Sequence, residues 1–167
     1  TIQMFKSKMR REKPDLVIVD YTQLVTPSNT KESRERQVAE ISRELQQMAR
    51  DFDTTIIQLS QLAEKGSGNF RPTGESYTRE SRAIYHDSHI VIYIHRVTEE
   101  KELEKAYKSI PAFHERGSFE DIKATIETRA NSGIRFVEIN VDKNRDGEPG
   151  SNFYWFKGSD LDYYSII

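Results

Sequence analysis

The stretch DLVIVD, from Asp15 to Asp20, decides how this chain is read: four consecutive aliphatic residues bounded by acids. A run that is apolar at every position, not at alternate ones, predicts a strand covered on both faces inside a parallel sheet. Just upstream, TIQMFKSKMRREK (1–13) reads as a helix already in progress, ended before Pro14 because the residue preceding a proline is pushed out of the helical region. It has neither an initiator Met nor a signal-peptide layout, as in a piece cut from a longer chain. Downstream, PSNT (27–30) breaks the chain, and Val38, Ile41, Leu45, Met48 and Phe52 then recur every three or four residues, the stripe of an amphipathic helix. TIIQLS (55–60) is a second strand. Strand, helix, strand predicts a right-handed crossover between parallel neighbours and an α/β fold.

Further out, residues 63–77 are rich in Gly, Ser, Asn and Pro, with Lys65 and Arg71 embedded, and read as a mobile surface loop. TRESRAIYHD (78–87) predicts a short helix leading into IVIYI (90–94), a third candidate parallel strand. Between about 99 and 133 the helical periodicity of EKELEKAYKSI and FEDIKATIETRA, with Gly117 and Ser118 between them, predicts a helical hairpin or insertion. Phe136, Val137, Ile139 and Val141 form a strand with Glu138 and Asn140 expected to face out, and NFYWFK (152–157) forms another. The intervening KNRDGEPG has the residues of a hairpin turn. Tyr163 and Tyr164 read as terminal packing.

The composition, 35% hydrophobic and 31% charged over 167 residues, fits one globular domain and excludes a membrane protein or a wholly disordered chain. Lys and Arg total 25 against 27 acids, so any nucleic-acid contact has to be local. The absence of cysteine excludes a disulfide framework and thiolate metal sites, and a cytoplasmic protein is expected.

Ligands of α/β sheets bind beyond the carboxyl ends of the strands, so the polar residues ending each apolar run are the first candidates. Asp20 could hold Mg²⁺ through its water shell beside nucleotide phosphates, as a Walker B acid does; a strand-end acid satisfying loop amides is the alternative. Gln61 follows the second strand, and its amide, both donor and acceptor, could sense a γ-phosphate or could be simple loop polarity. Lys143 and Arg145, at i and i+2, project to one side of an extended segment. They could reach across a subunit boundary to a transferring phosphoryl group, or form a solvated turn. Arg79, Glu80 and Arg82 fall near a helix start, where they could grip the phosphates of a DNA strand or form a charged solvated face. His86, Asp87 and His89 lack further ligands at metal-site spacing. No Ser-His-Asp order, glycosidase carboxylate pair or HExxH is present.

In order and spacing these segments resemble the DnaB-type replicative DNA helicases, which are RecA-like P-loop NTPases. DLVIVDYTQLV is similar to the family's Walker B strand with its trailing Tyr-x-Gln-Leu, and RQVAEISRELQQMARDFDTTIIQLSQL to the next helix and the strand ending in Ser-Gln-Leu. TRESRAIYHDSHIVIYIHR is similar to the Arg-Glu-Ser-Gly segment, helix and strand, and DKNRDGEPG to the Lys-x-Arg-x-Gly-x-x-Gly loop. The resemblance spans 1–98 and 134–158. It implies a RecA-like core fragment, a mostly parallel sheet flanked by helices with a C-terminal antiparallel hairpin. Residues 1–167 would be the C-terminal part of a motor domain carrying a helical insertion at about 99–133. It further implies ATP and Mg²⁺ as cofactors, Asp20 as the Walker B acid, and Gln61 as the γ-phosphate sensor. Lys143 and Arg145 would reach the nucleotide of an adjacent subunit, and Arg79, Glu80 and Arg82 would follow single-stranded DNA through a hexameric ring that unwinds duplex. Primase and a helicase loader are the partners of such a ring.

Three departures stand out. Arg82 replaces the family's Gly, the 99–133 stretch is longer than its usual connection, and no GxxxxGK[ST] occurs in these residues. With that loop absent and the family's catalytic Glu expected upstream of residue 1, the 167 residues alone are expected to be inactive. A RecA- or RadA-like recombinase or regulatory ATPase, and a non-catalytic DNA-binding or subunit-docking remnant, are the alternatives. The first differs in strand exchange against strand separation, the second in the sequence upstream of Thr1.

Overall fold

The computed structural model describes residues 1–62, 71–74 and 82–166. They gather into two compact units: one holds the residues through the second strand together with 82–89, the other holds 71–73 and everything from Ile90 onward.

In the first unit, helix α1 (Ile2–Glu12) starts under a Thr1 cap whose hydroxyl accepts from the Met4 N–H at 3.4 Å, and it ends at Lys13, in the left-handed region with φ 43°. Strand β1 (Leu16–Val19) pairs in parallel with β2 (Thr55–Gln58), in register from Leu16 with Thr55 to Val19 with Gln58. The helix between them, α2 (Arg34–Asp51), starts at Ser33, whose side chain accepts from the Arg36 N–H. Its predicted stripe forms the core: Val38, Ile41, Leu45 and Met48 are at most 2% exposed, and the last three pack with Ile2, Met9 and Val19. Each such side chain contributes about 1.5–3 kcal/mol through burial. Phe52 caps the helix and packs on this core from outside it. Helix α3 (Arg82–Asp87) is tied to α2 by Gln46, whose Nε2 donates to the Asp87 carbonyl at 2.7 Å.

The both-faces expectation for β1 holds on one face. Val17, Val19 and Ile56 turn toward α1 and α2, while Leu16, Ile18, Ile57 and Leu59 are between 45% and 60% exposed.

The second unit contains β3 (Ile90–Arg96), α4 (Glu100–Ser109), α5 (Pro111–Arg116), α6 (Phe119–Asn131), β4 (Ile134–Asn144), β5 (Gly150–Lys157) and β6 (Asp162–Tyr164). Its sheet runs β3-β4-β5-β6 with every neighbour antiparallel. The hairpin read at KNRDGEPG is therefore present, but among the described residues β3 is not a third parallel strand: it gives its ladder to β4. An apolar run announces a strand without naming its partner. Tyr163, in β6, packs at a tilt against Phe156 with ring centroids 4.8 Å apart, and both it and Tyr164 remain exposed.

The 99–133 stretch forms three helices, not a hairpin of two. Pro111 is the first residue of α5, where its missing N–H costs nothing. Ser118 and Asp121 make the capping box of α6. Leu103, Ala106, Phe113, Ile122 and Ile126 from these helices close over Phe136 and Trp155 of the sheet. That placement overturns the outward reading of Glu138 and Asn140. They share the face of Phe136, which lies in this core, and are 2% and 5% exposed.

Candidate functional site

Parallel pairing brings the carboxyl ends of β1 and β2 to the same edge, and Asp20 and Gln61 both follow it as exposed residues. The chain after Asp20 holds the two ends together. The Thr22 N–H donates to the Leu59 carbonyl at 2.8 Å and its hydroxyl to the same oxygen at 2.9 Å, while the Leu59 N–H donates to Val19 at 2.9 Å. Gln23 Nε2 donates to Ser60 Oγ at 3.0 Å and to the Gln61 carbonyl at 3.3 Å. Arg34, at the start of α2, donates to the Gln23 carbonyl. Thr22 is fully buried, so the spacing between Asp20 and Gln61 is set by packed backbone. Gln23 Oε1 is buried with no hydrogen-bond partner among the described residues. Asp20 is exposed, and an exposed carboxylate is what an ion bound through water requires, since Mg²⁺ keeps several waters and takes one or two carboxylates.

In the second unit, β4 carries Lys143 near its end and Arg145 just past it. Pairing of β3 with β4 shifts between Val91 and Ile92: Val91 faces Lys143 and Ile92 faces Val141, leaving Asp142 as the extra residue of a bulge. A bulge re-aims the side chains that come after it. Here it puts Lys143 opposite Val91, hence on the face of Tyr93 and His95 that also carries Asn140 and Glu138. Lys143 is half-buried and Arg145 exposed in the turn. That turn is held by Asn144, whose Oδ1 accepts from the Asp146 N–H at 3.3 Å.

The same face holds a buried ionic network. Arg71 Nε and Nη2 donate to the two Glu138 oxygens at 2.7 and 2.6 Å, and Nη2 also donates to Ser151 Oγ at 2.9 Å. Ser151 donates to Asn140 Oδ1 at 2.9 Å. His95 Nε2 lies 3.5 Å from Glu102 and 3.6 Å from Glu138. Burial pushes the Glu138 carboxyl up, but the hydrogen bonds from Arg71 and Ser151 and the charges of Arg71 and His95 outweigh it, and the group lies below the usual range. Burial dominates at Glu102 and raises it against the pull of His95.

Of the DNA-contact candidates, Arg82 is the exposed first residue of α3, and α3 is six residues long; Arg79 and Glu80 lie outside the described residues. So does Lys65, whereas Arg71, read as part of a mobile loop, is fixed by its ion pair. Among the described residues no three His, Cys, Asp or Glu side chains are grouped as metal ligands, and no helix is long and apolar enough to cross a membrane.

Residues 1–163 match the family described as DnaB-like helicase C terminal domain. The chain belongs to this family. It is 30% identical to the replicative DNA helicase DnaB of Helicobacter pylori over 93% of its own length and 33% of that protein's. Its identity to the replicative DNA helicase DnaC of Bacillus subtilis is 35%, over 57% of this chain and 22% of that one. Among solved structures, a DnaB-like replicative helicase described with its interactions with primase superposes with a TM-score of 0.69 at 26% identity, covering all of this chain and 36% of that one. A second solved structure, described as an ATPase domain, shares the fold with the same TM-score at 24% identity, and the match takes in 52% of its chain. The chain spans about a third of the length of the relatives it matches most fully.

For a DnaB-like chain, the residues that sequence reading left without a role are Thr22, Gln23, Arg71 and Glu138. The first two stand inside the Tyr-x-Gln-Leu segment, which carried the resemblance but not its purpose: it staples the end of β1 to the end of β2. Arg71 and Glu138 are 67 positions apart, and no local pattern joins them.

Proposed function

We propose that this chain is the C-terminal part, with its 99–133 insertion, of the RecA-like motor domain of a replicative DNA helicase, whose whole protein assembles as a ring, hydrolyses ATP, translocates on single-stranded DNA and unwinds duplex. The observation that supports this reading is the stapled edge just beyond which Asp20 and Gln61 both lie exposed, in a chain of DnaB-like family. Bound ATP with Mg²⁺ would supply the phosphoryl group, the metal neutralising charge on its oxygens. Asp20 would orient the metal's water shell, and the Gln61 amide would hydrogen-bond the terminal phosphate. Lys143 and Arg145, from the adjacent subunit, would balance charge that develops during transfer. Arg82, with Arg79 and Glu80, would track the DNA backbone, a grip that carries no base specificity. A hexamer in the cytoplasm, with primase as a partner, is in keeping with the solved relative described with primase; a loader belongs to the same reading.

Complementation in mixed rings of the full-length protein tests this. Asp20→Asn and Arg145→Ala should each lower DNA-stimulated ATPase on the order of 10³-fold. Mixing them should restore activity, because a site built from Asp20 of one subunit and Arg145 of the next is then intact in a fraction of interfaces. If mixed rings stay as inactive as either parent, Arg145 does not act across a boundary.

A further inference from the structure

We infer that Gln58 is a positioning residue for the DNA contact: through Ser88 it fixes helix α3, whose first residue is Arg82, to the end of β2 that leads to Gln61. The inference rests on the motor reading above, in which Arg82 meets the DNA backbone, and concerns two side chains which that reading leaves unused.

Alternation along β2 places Gln58 on the face of Ile56, which packs toward the core, while Ile57 and Leu59 point the other way and are exposed. A half-buried amide at a core-facing position needs hydrogen-bond partners, and two are in reach. Its Nε2 donates to Ser88 Oγ at 3.4 Å. Its Oε1 lies 3.5 Å from the buried Thr22 hydroxyl, which also serves the Leu59 carbonyl two residues beyond Asp20. Ser88 passes the link on to the helix. Its hydroxyl donates to the Ile84 carbonyl at 2.7 Å and its N–H to the same oxygen at 3.1 Å, so it closes the last turn of α3 while receiving the strand.

Gln46 of α2 holds the adjoining Asp87 carbonyl at 2.7 Å, so the end of α3 is fastened both by a strand and by a helix. Two fastenings at different points define a direction where one would allow a pivot. With six residues, α3 is far below the length at which a helix is stable by itself, and it takes its direction from what holds it. Arg82 stands six residues before Ser88, about 9 Å at helical rise. A shift at Ser88 is therefore a shift at Arg82.

The test uses the full-length protein and measures the Kd for oligo-dT, the binding stoichiometry, ring assembly and Tm. Gln58→Met, which keeps the length and loses the amide, and Ser88→Ala should each weaken oligo-dT binding about fivefold, the lower end of coupling between sites. The double variant should bind no more weakly than either, because both changes remove one link. Ser88→Thr retains the hydroxyl and should bind within about twofold of wild type. The two Ser88 variants decide the matter if Gln58→Met fails to assemble. An unchanged Kd in assembled Gln58→Met or Ser88→Ala overturns the inference, as does a Ser88→Thr loss equal to that of Ser88→Ala. So do losses that multiply in the double variant, or a lower stoichiometry or Tm at unaltered Kd, which marks a mere fold fastener. Arg82→Ala separates the inference from the reading beneath it. If that variant binds as wild type does, the DNA contact of α3 fails and the inference with it; if it loses affinity while Gln58→Met does not, the inference alone falls.

Discussion

Glu102 and Glu138 face the same histidine, His95, and their carboxyls are displaced in opposite directions. For Glu138 the folded protein prefers the ionised form, so its contribution is present above the unfolded carboxylate pKa of about 4.3 and is lost as pH falls through the depressed folded value. For Glu102 the folded protein prefers the protonated form; the penalty is absent below about pH 4.3 and complete once pH has risen past the raised folded value. Thermal denaturation across that range should therefore separate two isosteric variants. Glu138→Gln should lose up to about 3 kcal/mol at neutral pH, with the deficit shrinking in acid. Glu102→Gln should raise Tm at neutral pH, with the gain disappearing in acid; a loss of Tm at neutral pH would mean that His95 holds Glu102 ionised. None of this was legible in the sequence. The alternation around Glu138 identifies two faces, and polarity pointed the carboxylate outward because its cation lies 67 residues earlier. The placement of Asp20 and Gln61 just beyond the strand ends was legible, since a strand followed by a polar residue is a local signal.

At the scale of elements, β1, α2 and β2 were legible because each rests on periodicity within a single window, and parallel pairing follows from the intervening helix. The partner of β3 was not, because the choice between two sheets is made by contacts with residues more than forty positions away. The bulge at Asp142 was equally hidden: an extra residue leaves no mark on an already irregular pattern of polar side chains. The turn after it was better marked. At Gly147 the approach is close: a Cβ would lie 2.7 Å from Asn144 Nδ2, so the side chain that holds the turn would have to shift. Gly147→Ala should displace Asn144 and mis-aim Arg145. Kinetics of the full-length protein should show kcat reduced on the order of 10²-fold, the scale of an ångström of misplacement, with stability changed by only about 1 kcal/mol. Wild-type kcat in a correctly assembled Gly147→Ala ring would detach the turn's geometry from the chemistry.

At the scale of the whole molecule, each unit presents an apolar face that is left exposed among the described residues. In the first, Leu16, Ile18, Ile57 and Leu59 line the side of the parallel pair away from α1 and α2; in the second, Ile90, Ile92 and Ile94 line β3 at 53–56% exposure. Contiguous apolar patches on a monomer mark surfaces that something else covers. The chain spans about a third of the length of its fullest relatives, and under the proposed function further chain of the same protein would cover the first face. The consequence is a substitution whose cost depends on context. Ile18 is 60% exposed and faces away from the Ile41, Leu45 and Met48 core, so Ile18→Lys in the 167-residue chain should change stability by no more than about 0.5 kcal/mol while reducing self-association and binding of a hydrophobic dye. In the full-length protein the same lysine would be placed under packed chain, where an unpaired charge or polar group costs several times as much, about 2 kcal/mol or more. Denaturant midpoints of the two pairs of proteins measure the contrast. Equal, negligible shifts in both would mean that the face of β1 and β2 stays open in the intact protein, and that its aliphatic residues serve a partner other than the chain itself.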